Sequence, residues 1–234
     1  MKKERWVLWG YLSSRLFGMV LLQSITYLMI RPNGQTFENA GFYWAMQLSV
    51  INLVLFILMR RWFHANQQTY GQLFQPISRK ETGLFLKLVI PLLLTAMMPN
   101  LVLSYLFYQD LQIGTTFLLG EIPQTFKRMN ILVFPFLQGA IEIPFYFMFL
   151  MPRLKRIHAN RWVYLGLPVL FLSIQHAFMP LRFDLLYLAY RSLVFLPFAL
   201  VIGVVLSKRP KMLLYLVVLH ILMNASLFMM YLIT

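Results

Sequence analysis

The sequence predicts an all-α fold, a polytopic transmembrane helical bundle of about seven helices. Of its 234 residues, 60% are hydrophobic and only 12% charged, against about 45–50% and about 25% in soluble domains. Apolar runs of membrane-spanning length, roughly 20 residues, recur along the chain with no hydrophilic stretch long enough to fold alone. Basic residues gather in alternate connections between those runs, the pattern that sets orientation in a bilayer.

The first run, 6–30, follows the basic stretch MKKERW. It is too long for a signal-peptide core and no small-residue cleavage site follows, so it reads as a retained helix. The second, 42–59, is short, and the polar stretch 62–82 after it reads as an interfacial loop or surface helix. The third, 84–108, contains Pro91 and Pro99, and the fourth, 131–151, contains Pro135 and Pro144. Bundled membrane helices tolerate such prolines because neighbours satisfy the freed carbonyls. The fifth and sixth, 163–181 and 185–206, carry Pro168 and Pro197 and are separated only by a short connection. The seventh is 212–232.

Lys2, Lys3, Arg5, Arg60, Arg61, Arg79, Lys80, Arg153, Lys155, Arg156, Arg161, Lys208, Arg209 and Lys211 fall on one side of this arrangement. Arg31, Lys127, Arg128 and Arg182 fall on the other. The expectation is a plasma-membrane protein, if bacterial, with its N-terminus cytoplasmic and its C-terminus outside. The net charge of +14 is thereby explained by topology, with no nucleic-acid partner. Arg15, Lys87 and Arg191 lie within the runs, where snorkelling or packing against a polar interior accounts for them. The absence of cysteine excludes disulfides, thiolate catalysis and cysteine zinc sites. No internal repeat is visible, which argues against an inverted-repeat transporter. His64 and His158 lie beside basic residues and read as solvated loop histidines.

Glu142 is the one acidic residue inside any of these runs, and His176 and His220 are the histidines inside them. An ionisable group at membrane depth is costly and faces a protein interior or a wet cavity. His220 and Asn224, four residues apart, share a helix face. Tyr146, Gln138 and Gln175 are further candidates for the same interior. Glutamate and histidine can activate water as general base and return its proton to a leaving amine. An asparagine amide or histidine N–H can stabilise an oxyanion. Glu142, His176 and His220 are also a zinc ligand set with one position left for water. The residues alone leave hydrolysis and proton-coupled transport open.

The stretch Glu142 to Arg156, EIPFYFMFLMPRLKR, resembles the first motif of the CPBP (CAAX protease and bacteriocin-processing, or Abi) family of intramembrane proteases. That motif reads E-E-x-x-x-R followed by G-x-L-x-P-x-L. Alignment on Pro152-Arg153-Leu154 puts Glu142 at the first, water-activating glutamate. His176 matches the histidine of the second motif, F-x-x-x-H, with Leu172 in place of the phenylalanine. His220 and Asn224 match the third, H-x-x-x-N. Ile143 and Phe147 replace the second glutamate and the arginine, a charged pair lost together. Removing both members of a buried pair is tolerated far better than removing one.

The resemblance covers roughly residues 130–230. It divides the single membrane domain, 1–234, into three N-terminal helices without a motif (1–129) and a CPBP-like core (130–234). It implies an intramembrane endopeptidase acting on a peptide or protein substrate at the lipid bilayer. Glu142 would be the base, His176 would assist on the water, and His220 and Asn224 would hold the oxyanion. The family is often described as metalloproteases, so a zinc ion is one expectation; a metal-free glutamate-and-water mechanism, which suits the asparagine, is an equal one. The alternative expectation is a non-enzymatic membrane protein: a proton-coupled transporter, or an inactive relative conferring bacteriocin immunity by binding a partner.

Overall fold

The apolar runs become helices whose ends are set by capping residues and prolines. The computed structural model describes residues 2–118 and 120–233, and among them there are helices and turns but no β-strand. The helices are α1 (Lys2–Ile30), α2 (Phe37–Gly41), α3 (Trp44–Ala65), α4 (Arg79–Tyr108), α5 (Ile113–Leu118) and α6 (Gln124–Ile143). They continue with α7 (Met151–Ile157), α8 (Arg161–Tyr164), α9 (Gly166–Ile174), α10 (Leu185–Val194), α11 (Leu196–Lys208) and α12 (Leu213–Ile233). A π-helical turn, Pro144–Leu150, joins α6 to α7.

Among the described residues six helices are long and apolar enough to cross a membrane: Trp6–Asn33, Trp44–Ala65, Arg79–Tyr108, Gln124–Ile157, Leu185–Lys208 and Pro210–Leu227. This is the architecture of an integral membrane protein. The fifth run, expected as a single helix over 163–181, is instead α8, α9 and a 3₁₀ turn, Gln175–Ala177. Pro168 has no N–H for the Tyr164 carbonyl, so α8 stops there and the chain restarts at Gly166. Pro197 produces the smaller break between α10 and α11 in the same way.

Contacts sort the connections into two ends. At one end Glu81 lies 4.0 Å from Arg209, and Lys155, Arg161 and Lys208 line a common cavity. At the other, Gln23 Nε2 donates to the Leu181 carbonyl at 2.8 Å and Phe37 stacks on Phe183. The short α8–α9 stretch therefore runs from the basic end at Arg161 to the opposite end at Leu181. Lys87 is exposed on the outer face of α4, whereas Arg15 and Arg191 are buried. His64 stands exposed on the last turn of α3 rather than in a loop, and His158 is half-buried beside α7.

Two local features position the middle of α6. Pro144 cannot donate to the Ala140 carbonyl one turn back. The Tyr70 hydroxyl, from the polar stretch after α3, donates to that carbonyl instead. A Tyr70→Phe variant is therefore expected to lose about 1–2 kcal/mol of stability, read from denaturant unfolding in detergent. The second feature is Gly139, where α6 meets α12. A Cβ there would clash with Ile221 Cγ1 and stand 3.2 Å from the Val217 carbonyl oxygen. Small residues allow such close helix approach in membranes. Gly139→Leu should push α12 away and cost about 1–3 kcal/mol, measured the same way.

Candidate functional site

Glu142 occupies the last turn of α6, two residues before Pro144 and the π-helical turn. π-helical turns recur at functional sites, and here the turn follows the one membrane-depth carboxylate. Glu142 is buried, with 1% of its surface exposed. Its two carboxylate oxygens have different surroundings. Oε1 accepts from Gln138 Nε2 one turn back and from Gln175 Nε2 at 2.6 Å. The Arg15 guanidinium of α1 approaches the same oxygen, with Nη2 at 3.4 Å. Oε2 lies 2.8 Å from His220 Nε2 of α12. The contact is close, but the ring nitrogen is not aligned on the carboxylate as a hydrogen-bond donor.

The supporting groups are themselves held. Arg15 Nη2 donates to Gln138 Oε1 at 2.7 Å, and Asn52 Nδ2 of α3 donates to the same oxygen at 2.8 Å. The Tyr146 hydroxyl donates to Gln175 Oε1 at 3.0 Å. Five separate stretches thus converge on one carboxylate. A buried charge survives only when paired and hydrogen-bonded, and this network supplies both. Arg15 is fully buried, so it does not snorkel. It brings a positive charge from α1 to the Glu142 carboxylate. Arg15 and Asn52 are the site residues that no local spacing pointed to. The readable signal was their polarity inside otherwise apolar runs.

His176 sits in the turn after α9. Its Nδ1 lies 2.8 Å from the Leu172 carbonyl oxygen, and its ring stacks on Phe195 at 3.7 Å between centroids. A carbonyl only accepts, so Nδ1 carries the proton and Nε2 is the acceptor in the neutral ring. Arg191 fixes the same turn by donating to the His176 and Met179 carbonyls at 3.3 and 3.0 Å. Asn224 is tied to the same helix as His220: its Nδ2 donates to the His220 carbonyl at 2.8 Å. That bond uses one of the two amide N–H groups, and the other is left as a donor at the cavity wall.

Glu142, His176, His220 and Asn224 line one cavity of about 140 Å³. That is room for several waters at roughly 30 Å³ each. Arg191, Ala96, Leu118, Phe195, Met223 and Leu227 are shared with a second, largely apolar cavity of about 340 Å³ that reaches between α4 and α12. At the basic end α4 and α12 are joined, Thr82 and Tyr215 hydroxyls lying 2.8 Å apart.

Glu142, His176 and His220, the ligands a zinc ion would use here, are not grouped around one point. Among the described residues no three His, Cys, Asp or Glu side chains converge as a metal cluster. Oε1 of Glu142 accepts from two amides and lies 3.4 Å from a guanidinium. A cation at that distance opposes a divalent ion on the same carboxylate.

No protein-family model matches the chain, and neither a curated protein nor a solved structure is significantly similar to it.

Proposed function

We propose that the chain is an intramembrane endopeptidase of the CPBP type that hydrolyses a peptide bond with water activated by Glu142. The observation that carries this reading is the unequal use of the carboxylate. Oε1 is saturated by donors that fix the side chain, while Oε2 meets His220 at the wall of a cavity that also contains His176 and Asn224. A base needs one anchored oxygen and one that can take a proton.

In this mechanism a water adds through its oxygen to the peptide carbonyl carbon while Oε2 takes one of its protons. His176, with Nε2 as an acceptor, orients that water. His220, beside Oε2, and Asn224, through the amide N–H not bonded to the His220 carbonyl, donate to the oxyanion. Collapse breaks the C–N bond as the proton passes to the leaving amine. The apolar gap between α4 and α12 admits a membrane-embedded segment. The basic end is cytoplasmic by the positive-inside rule, which puts the N-terminus inside and the C-terminus outside. In this cysteine-free chain the orientation is testable by labelling Ala159→Cys and Gln112→Cys from each side.

The test of the activity is incubation of the purified protein with a peptide library in oxygen-18 water. New carboxyl groups should carry one heavy oxygen, Glu142→Gln should produce none, and a chelator should leave the rate unchanged. A second reading, a non-enzymatic binding or proton-coupled transport protein, is favoured by the Arg15 contact, because it makes the carboxylate half of a buried ion pair. Wild-type protein that cleaves nothing but moves protons in liposomes, or captures a partner, would establish that reading.

A further inference from the structure

We propose that the basic end of the bundle carries a binding site for the phosphate of an anionic phospholipid, between α7, α8 and α11. A cavity of about 380 Å³ opens there. Its floor is apolar, made by Phe147 and Met148 of the π-helical turn, Met151 of α7 and Leu206 of α11. Its rim carries three exposed cations, Lys155, Arg161 and Lys208, brought together from two connections far apart in sequence.

The three cations have no acidic partner among the described residues. The carboxylate described at this end, Glu81, faces Arg209, and the remaining ion pairs belong to Glu142. Lys155 has instead the face of Tyr164, with Nζ 5.6 Å from the ring centroid. Three like charges around a concave surface repel one another, so an anion placed between them is stabilised by all three. The chemistry recognised is a phosphate. It could come from a lipid headgroup or from solution, and the floor decides for the lipid: free phosphate gains nothing from apolar side chains, whereas the first methylenes of an acyl chain do. Basic pockets between transmembrane helices at the positive side are suited to such headgroups. The site is separate from the Glu142 cavity and holds whether or not the protein hydrolyses peptides.

The test is lipid retention by the full chain in detergent, followed by native mass spectrometry during titration with phosphatidylglycerol, with phosphatidylcholine of the same chains, or with inorganic phosphate. Phosphatidylglycerol should be retained and the other two should not compete. At about fivefold per cation, the combined K155Q, R161Q and K208Q variant should bind it on the order of a hundredfold more weakly. A K127Q and R128Q variant, altered at the opposite end, should bind as wild type. If the triple variant does not fold, K208Q alone should still show the fivefold loss. Equal retention of phosphatidylcholine, unchanged binding by the variant, equal loss in the opposite-end control, or binding of inorganic phosphate without the lipid would each overturn the proposal.

Discussion

Arg15→Met is expected to destabilise the protein by about 3–5 kcal/mol, the usual consequence of removing one member of a buried ion pair. Methionine fills much of the same volume with apolar atoms, so the loss is not a cavity effect. What it leaves behind is the Glu142 carboxylate in an interior where 1% of its surface is exposed. Oε1 keeps the donors of Gln138 and Gln175 but loses the guanidinium at 3.4 Å. Gln138 Oε1 keeps Asn52 and loses its second donor. The partner variant Glu142→Gln strands Arg15 in the converse way, with Nε and Nη1 already lacking protein partners. Combining Arg15→Met with Glu142→Gln removes both charges at once, and stability should return to within about 1 kcal/mol of wild type, because paired removal of buried charges is often nearly neutral. Denaturant unfolding in detergent of the three variants closes the double-mutant cycle. Additive losses in the double variant, or a loss under about 0.5 kcal/mol for Arg15→Met, would show that the two groups do not depend on each other.

The helices were legible because lipid imposes a strong rule: every apolar stretch of sufficient length must satisfy its backbone internally. Where the expectation was off, local chemistry accounts for the difference. α4 starts at Arg79 instead of 84 because Ser78 Oγ accepts from the Glu81 amide at 3.3 Å, a capping pattern readable as S-x-x-E but set within a polar stretch. The run 163–181 breaks at Leu165 because a proline three residues on removes the hydrogen bond that would carry the helix through. Glu142 and His220 stood out as polar groups in apolar surroundings, and the structure brings them within 2.8 Å. Arg15 was equally visible, but its partner was not. Its contacts with Gln138 and Glu142 span more than half the chain and depend on how α1 packs against α3 and the π-helical turn, which periodicity within one helix does not encode. Asn224 shows the opposite limit. Its four-residue spacing from His220 is the same spacing that lets its amide bond back to the His220 carbonyl, a local competitor of any functional role.

If Glu142 is the base, Glu142→Gln should lower kcat by about a hundredfold to ten-thousandfold, the range spanned by loss of a general base. KM should move little, since the amide occupies the same volume at a wall of the same cavity. The glutamine can still accept from Gln138 and Gln175 through its oxygen, so the anchoring half of the side chain persists and the missing function is proton transfer by the other half. Glu142→Asp separates these roles further. It keeps the charge but withdraws the carboxylate by one methylene from His220 Nε2, now 2.8 Å away. A 1 Å misplacement of a reacting group can cost on the order of a hundredfold, so this variant should fall between wild type and Glu142→Gln. Asn224→Ala then asks whether the second amide N–H serves the reaction. A residue that only caps the His220 carbonyl should cost less than about tenfold, whereas an oxyanion donor should cost about a hundredfold to a thousandfold in kcat. Glu142→Gln cleaving within tenfold of wild type, in protein whose unfolding shows it to be intact, would remove Glu142 from the chemistry and leave it as the buried partner of Arg15.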